Sequence, residues 1–204
     1  MEEEYLATVR KGYDRGKPRE RGIDQVTLAF AKLVQAMDES KQDVLGDLFT
    51  GAITYGERGQ FFTPDSVSQL MAEMTAPADV EEGPKTVNDP ACGSGRTLLA
   101  VGKRHPNWEF VGQDVDHRCA QMTAINMGLY GLRGWAVWQN TLSLECHRVY
   151  RIGLGLTNTG VIGEIPVEQS PFNDAAAKRP DPEPMADRGD RPGETGPTTQ
   201  LGLF

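Results

Sequence analysis

The stretch Asn88-Asp89-Pro90-Ala91-Cys92-Gly93-Ser94-Gly95-Arg96 has the residue types and spacing to hold a ligand. Gly93 and Gly95 let the backbone turn tightly and approach a bound group without side-chain hindrance. The free amides at the start of the helix expected after them favour an anion such as a carboxylate. Asp89, ahead of the turn, would repel a phosphate but could hold an ammonium. A dinucleotide would bring a pyrophosphate, usually with a third glycine in the pattern GxGxxG, and that glycine is missing here. A second carboxylate, Asp114, ends the segment Glu109-Phe110-Val111-Gly112-Gln113, about twenty residues past the glycines. That is the spacing for a group accepting from both ribose hydroxyls. Asp116 is the alternative, or else the cap of the next helix. A ligand with a carboxylate, an ammonium and a ribose fits this set, and S-adenosylmethionine is such a ligand.

These residues need a strand to end at Asp89 and a helix to begin at Arg96. Thr86-Val87-Asn88 supplies the strand, and residues 96–104 the helix. A strand over 108–112, a helix over 117–130 closed by Gly131, and a strand over 135–138 follow. Residues 147–152 and 160–166 can form a hairpin. Helices alternating with strands across 59–166 are the signature of a parallel sheet. Upstream, Ile23, Val26, Phe30, Leu33, Val34 and Met37 keep a three-to-four spacing, and a second short helix carries Val44, Leu45, Leu48 and Phe49 on one side. Thr63-Pro64-Asp65 reads as a helix start, with Thr63 as cap and proline at the first helical position. Val67, Leu70, Met71 and Met74 form the expected buried stripe of that helix.

Four regions result: a charged leader (1–22), broken by Gly12, Gly16, Pro18 and Gly22 and expected to be loosely ordered; a helical lead-in (23–58); an α/β domain (59–173); and a tail (174–204). Residues 178–199 of the tail hold five prolines and almost no apolar side chains, too few to offset chain entropy, so disorder is expected there. No apolar run approaches the ~20 residues needed to span a bilayer. The N-terminus is too charged for a secretory signal, so the expected location is the cytoplasm. Cys92, Cys119 and Cys146 are odd in number and form no CxxC pair. They read as free buried thiols, with no zinc site expected. The net charge of −8 argues against coating nucleic acid by charge alone. A local basic patch remains in Arg10, Lys11, Arg15, Lys17, Arg19 and Arg21, which is either a DNA contact or a solvated leader.

DPACGSG at Asp89–Gly95, with Gly59-Gln60-Phe61-Phe62-Thr63-Pro64 upstream, resembles the adenine-N6 DNA methyltransferases close to the modification subunits of type I restriction systems. Asp43-Val44-Leu45-Gly46-Asp47-Leu48-Phe49 is similar to that family's lead-in helix, and the likeness covers roughly residues 40–145. The resemblance implies an α/β, Rossmann-like, S-adenosylmethionine-dependent methyltransferase sheet, here incomplete. It implies a cofactor set of Phe62, Thr63, Pro64, Asp89, Pro90, Ala91, Gly93, Gly95 and Asp114. In this family the Phe-Thr-Pro segment packs over the methionine end of the cofactor. An acidic residue after the third strand touches the cofactor's adenine, and Asn140, in Gln139-Asn140-Thr141-Leu142, occupies that place.

Adenine-N6 transfer in the family also needs an Asn/Asp-Pro-Pro-Tyr/Phe loop, which bonds the exocyclic amine and stacks on the flipped base. No such tetrapeptide occurs here. The nearest match is Gln169-Ser170-Pro171-Phe172, where Ser170, Pro171 and Phe172 would stand in; the other reading is a strand exit. The final residues, Gln200-Leu201-Gly202-Leu203-Phe204, resemble the sliding-clamp-binding peptide of bacterial replication and repair proteins. Gln200, Leu201, Leu203 and Phe204 are its anchors, at the end of a flexible tether. Three readings stay open. One is an adenine-specific DNA methyltransferase of a phage or mobile element, completed by a second subunit for target recognition. Another is a non-catalytic S-adenosylmethionine-binding accessory of DNA, a methyltransferase partner or the clamp. The third, methylation of RNA or protein, keeps the cofactor site and changes only the acceptor.

Overall fold

The computed structural model describes residues 2–52, 63–77, 83–155 and 160–173. Six α-helices and five strands are placed among them: α1 (Glu2–Thr8), α2 (Gly22–Ser40), α3 (Val44–Ala52), α4 (Asp65–Thr75), β1 (Thr86–Asp89), α5 (Arg96–Gly102), β2 (Glu109–Asp114), α6 (His117–Leu129), β3 (Arg133–Asn140), β4 (Glu145–Leu154) and β5 (Gly160–Ile165). The strands form one open sheet in the order β1-β2-β3-β4-β5. It is a mixed α/β fold with helices leading in at the N-terminus.

The first three strands are parallel, with Asp89 level with Gly112 and Asp114 level with Trp138. Each parallel step carries a helix as its crossover, α5 then α6. The expected parallel sheet stops there, because β4 and β5 are antiparallel to their neighbours. The reason is chain length. Only residues 141–144 join β3 to β4, with Leu144 at φ 63° and its amide bonded to the Asn140 carbonyl at 2.7 Å. A parallel return would need a crossover of about a dozen residues or more. The hairpin expected at the end of the domain is therefore present, and it extends the sheet beyond β3. β1 stays at the opposite edge.

The core lies between the sheet and α5 and α6. Phe110 of β2, Leu98 of α5, Met127 of α6 and Ile152 of β4 are all buried in it. Burying a side chain such as Phe110 contributes about 1.5–3 kcal/mol. Gly112 marks a tight contact between sheet and helices. A Cβ there would lie 2.7 Å from Thr123 Cγ2 and 3.0 Å from Leu98 Cδ1. Gly112→Ala should therefore cost about 1–3 kcal/mol in urea unfolding, the usual penalty for overpacking a filled core. An unchanged midpoint would mean that α6 can move off the sheet.

In the leader, α1 runs into an irregular helical turn at Val9–Tyr13 that breaks at Gly12. Glu2, Glu3 and Glu4 open α1, and Arg10 and Lys11 close the turn after it, the charge order that a helix dipole favours. The helix after Thr63 begins at Asp65, with Pro64 rather than Thr63 as its N-cap. Its buried side is also not the predicted one. Ser68, Ala72 and Ala76 are buried, while Val67, Leu70, Met71 and Met74 are exposed. Small side chains let α4 lie close against α5, so the bulky stripe turns outward. Likewise Val26, Phe30 and Val34 of α2 are exposed and only Met37 is buried, whereas in α3 Phe49 is buried and Leu48 is not. No helix among the described residues is long and apolar enough to cross a membrane.

Candidate cofactor site

β1 delivers Asp89 to the C-terminal rim of the sheet, where open α/β sheets place their ligands. The chain then turns through Gly93 (φ 56°) and Gly95 (φ 84°), left-handed conformations that favour glycine, and enters α5. The loop is held by its own polar groups. Asp89 accepts from the Ala91 amide at 3.1 Å and from the Thr97 hydroxyl. The Gly95 amide donates to the Cys92 carbonyl, and the Cys92 amide crosses to the Gln113 carbonyl of β2. These loop amides are therefore engaged internally.

β2 brings Asp114 to the same rim. Its carboxylate accepts from the Gly93 amide at 2.9 Å and from the Asp116 amide at 2.8 Å. Asp116 itself caps α6 by accepting from the Arg118 amide. Trp138 of β3 donates to the Val115 carbonyl at 3.0 Å and so fixes the residue after Asp114.

Between these groups lies a cavity of about 380 Å³ lined by Thr63, Met71, Asp89, Ala91, Cys92, Gly93, Ser94, Arg96, Thr97, Asp114 and Cys119. That size lies within the range of small-molecule sites, about 300–1,000 Å³. The two carboxylates thus share one cleft with the glycine loop between them. Burial pushes the Cys92 thiol well up and the Cys119 thiol to about 12, so both stay neutral and neither is a ready nucleophile.

Burial also raises the Asp114 carboxyl above its ordinary value of 3.8, although the Asp116 and Gly93 amides pull the other way. For the fold alone, this group favours the folded state at low pH, and the contribution is lost as pH rises past 3.8. For a ligand whose hydroxyls donate to the carboxylate, the sign reverses. Affinity for an adenosine-containing ligand should fall as pH is lowered through the range just above 3.8, and Asp114→Asn should flatten that dependence. A titration series between pH 7 and pH 4 measures both.

Behind the loop lies a buried polar network. Asp43, in the segment leading into α3, accepts from the Gly46 amide at 2.8 Å, Asn126 Nδ2 at 2.7 Å, Arg96 Nε at 3.1 Å and the Ser94 hydroxyl. Asn126 also donates to the Ser94 carbonyl, and Thr123 to the Gly93 carbonyl. Arg96 reaches further, to Asp47 and to the Thr63 carbonyl. An arginine at the positive end of a helix is unfavourable by itself. That placement was the one available hint that Arg96 needs carboxylate partners. Asp43, Asp47, Thr97, Asn126 and Cys119 carried no such hint.

Of the residues singled out in the sequence, Thr63, Asp89, Ala91, Gly93 and Asp114 line the cavity, and Pro90 lines an adjoining groove of about 290 Å³. Gly95 is buried beneath the cavity, and Pro64 caps α4. Asn140 is elsewhere, its side chain accepting from the amides of Leu142 and Ser143 in the β3–β4 turn. Ser170, Pro171 and Phe172 are not brought to the cavity. Ser170 bonds the Val167 carbonyl, and Phe172 packs edge-on against Trp135, because the antiparallel β4 and β5 carry the chain to the far side of β3. Arg10, Lys11, Arg15, Lys17 and Arg19 are exposed, and Arg21 pairs with Asp24 at 2.8 Å. Phe62 and the tail residues Gln200, Leu201, Leu203 and Phe204 lie outside the described residues.

A family model described as N-6 DNA Methylase matches residues 40–176. The methylase subunit of the type I restriction enzyme MjaVIII from Methanocaldococcus jannaschii is 32% identical over 102 residues, covering 46% of this chain and 17% of that protein. The methylase subunit of the type I restriction enzyme MpnII from Mycoplasma pneumoniae is 29% identical over 106 residues, covering 47% and 19%. The chain thus spans less than a fifth of the length of these relatives. No solved structure matches. The glycine loop between its two carboxylates lies inside the matched stretch, which takes in about two thirds of the sequence, and the chain belongs to the N-6 DNA methylase family.

Proposed function

We propose that the chain binds S-adenosylmethionine in the 380 Å³ cavity and serves as an adenine-specific DNA methyltransferase unit. The observation that carries this reading is the pairing of Asp89 and Asp114 across the glycine loop. Asp89 suits the ammonium of the cofactor, the start of α5 its carboxylate, and Asp114 the ribose hydroxyls. Bound there, the cofactor supplies the methyl group. The chain's own residues hold it by its polar ends and keep the loop rigid through Thr97, Thr123 and Asn126. Tritiated methyl transfer to unmethylated DNA, with the chain alone and then with sliding clamp or cell extract added, tests the enzyme reading. Labelled N6-methyladenine in any of these supports it.

A second reading is a non-catalytic accessory that binds S-adenosylmethionine and contacts DNA, a methyltransferase partner or the clamp. It is favoured by the absence of Ser170, Pro171 and Phe172 from the cavity lining, with Phe172 packed edge-on against Trp135. Cofactor binding without transfer under every condition would decide for it. In either reading the basic residues 10–21 are proposed to meet DNA, a second subunit to supply target recognition, and the C-terminal pentapeptide to dock on the clamp. Loss of clamp pull-down when Gln200 and Leu203 become alanine tests the last of these.

A further inference from the structure

Arg96 has a connectivity that charge neutralisation of Asp43 does not require. Nε donates to the Asp43 carboxylate and Nη2 to its backbone carbonyl at 3.3 Å, while Nη2 also meets Asp47 of α3 and Nη1 meets the Thr63 carbonyl at 3.3 Å. Asp43 and Asp47 precede residues 53–62, and Thr63 follows them. One guanidinium therefore ties both flanks of that stretch to the first residue of α5, next to the loop that forms the cavity. The helix that Thr63 leads into stands beside Asp89: its Ala72 and Thr75 line a groove with Asp89, Pro90 and Thr97 that Asp114 does not border. Met71, from the helix that Thr63 leads into, lines both the cavity and the adjoining groove bordered by Asp89, Pro90 and Thr97.

We infer that Arg96 is a positioning residue: it fixes the Thr63 wall at the Asp89 end and so sets the preference for ligands bearing an amino-acid group over plain nucleosides. This rests on the proposed S-adenosylmethionine site. A planar fork of donors can serve four acceptors on two segments at once, whereas a lysine ammonium can answer Asp43 but cannot span to Asp47 and Thr63 together. Arg96→Lys therefore separates positioning from neutralisation. Asp47 is largely exposed, with 65% of its side chain open, so Asp47→Asn tests the same wall with little risk to folding.

The test is calorimetric titration of the full chain with S-adenosylmethionine, S-adenosylhomocysteine and 5′-methylthioadenosine, which lacks the amino-acid end. Arg96→Lys should weaken the first two by about tenfold, the scale of one charge-assisted hydrogen bond, and leave the third within about twofold. Asp47→Asn should weaken the first two in the same sense by about threefold. Equal weakening for all three ligands would make Arg96 merely structural and overturn the inference, as would unchanged S-adenosylmethionine affinity in both variants. If Arg96→Lys loses its cooperative melting transition, the ligand preference of Asp47→Asn decides alone. Failure of the unaltered chain to bind any of the three would instead sink the cofactor reading, and this inference with it.

Discussion

Asp43→Ala will destabilise the protein by about 3–5 kcal/mol, the usual cost of removing one partner from a buried ion pair. The Asp43 side chain has no exposed surface, and that of Arg96 only 10%. Four donors converge on this carboxylate, from Gly46, Ser94, Arg96 and Asn126. Alanine would leave the buried Arg96 cation with Asp47 as its one remaining carboxylate, and would strip one of two acceptors from the Asn126 amide and the acceptor from the Ser94 hydroxyl. Water cannot easily replace them, because Ser94 and Asn126 are themselves almost fully buried. Urea unfolding followed by circular dichroism measures the loss. A change below about 1 kcal/mol would mean that the network can open to solvent and that its burial is not what holds α3 to the loop.

Asp89→Ala should leave the fold nearly intact and reduce affinity for S-adenosylmethionine by about a hundredfold, as expected for losing a hydrogen-bonded charge partner worth up to ~3 kcal/mol. Asp89 is only half-buried, and its internal partners, the Ala91 amide and the Thr97 hydroxyl, belong to its own loop. The stability cost is therefore that of one or two ordinary hydrogen bonds, about 0.5–1.5 kcal/mol each. Asp89→Asn keeps an acceptor for one of the two donors but removes the charge, and should lie between. Titration calorimetry and urea unfolding on the same samples separate the two effects. Affinity within about threefold of the unaltered chain would show that the ammonium is not held at Asp89.

Much of the site was legible because its chemistry is local. A strand, a turn with two glycines and a helix form a continuous stretch, and Asp114 follows at a distance set by one helix and one strand. Asp89, Gly93 and Asp114 accordingly meet where expected. Asn140 shows the limit of motif placement. It sits at the end of β3 as anticipated, yet its short side chain finds the amides of its own turn first. Ser170-Pro171-Phe172 shows the limit of counting strands. Their distance along the chain was plausible, but the four-residue reversal after β3 sends them away from β1.

Residue order alone determined most of the elements from α2 onward, because hydrophobic period and glycine and proline placement act over a few residues. It also determined the pair of carboxylates around the glycine loop. Only the tertiary structure decided which side of α4 is buried, since periodicity draws two stripes and the space left by α5 selects the one with small side chains. Only the tertiary structure, too, joined Asp43 to Ser94 across 51 residues and set Arg96 between two flanks of one segment. Burial made that union necessary: a charge removed from water must find its partners wherever the fold brings them, and sequence distance does not enter.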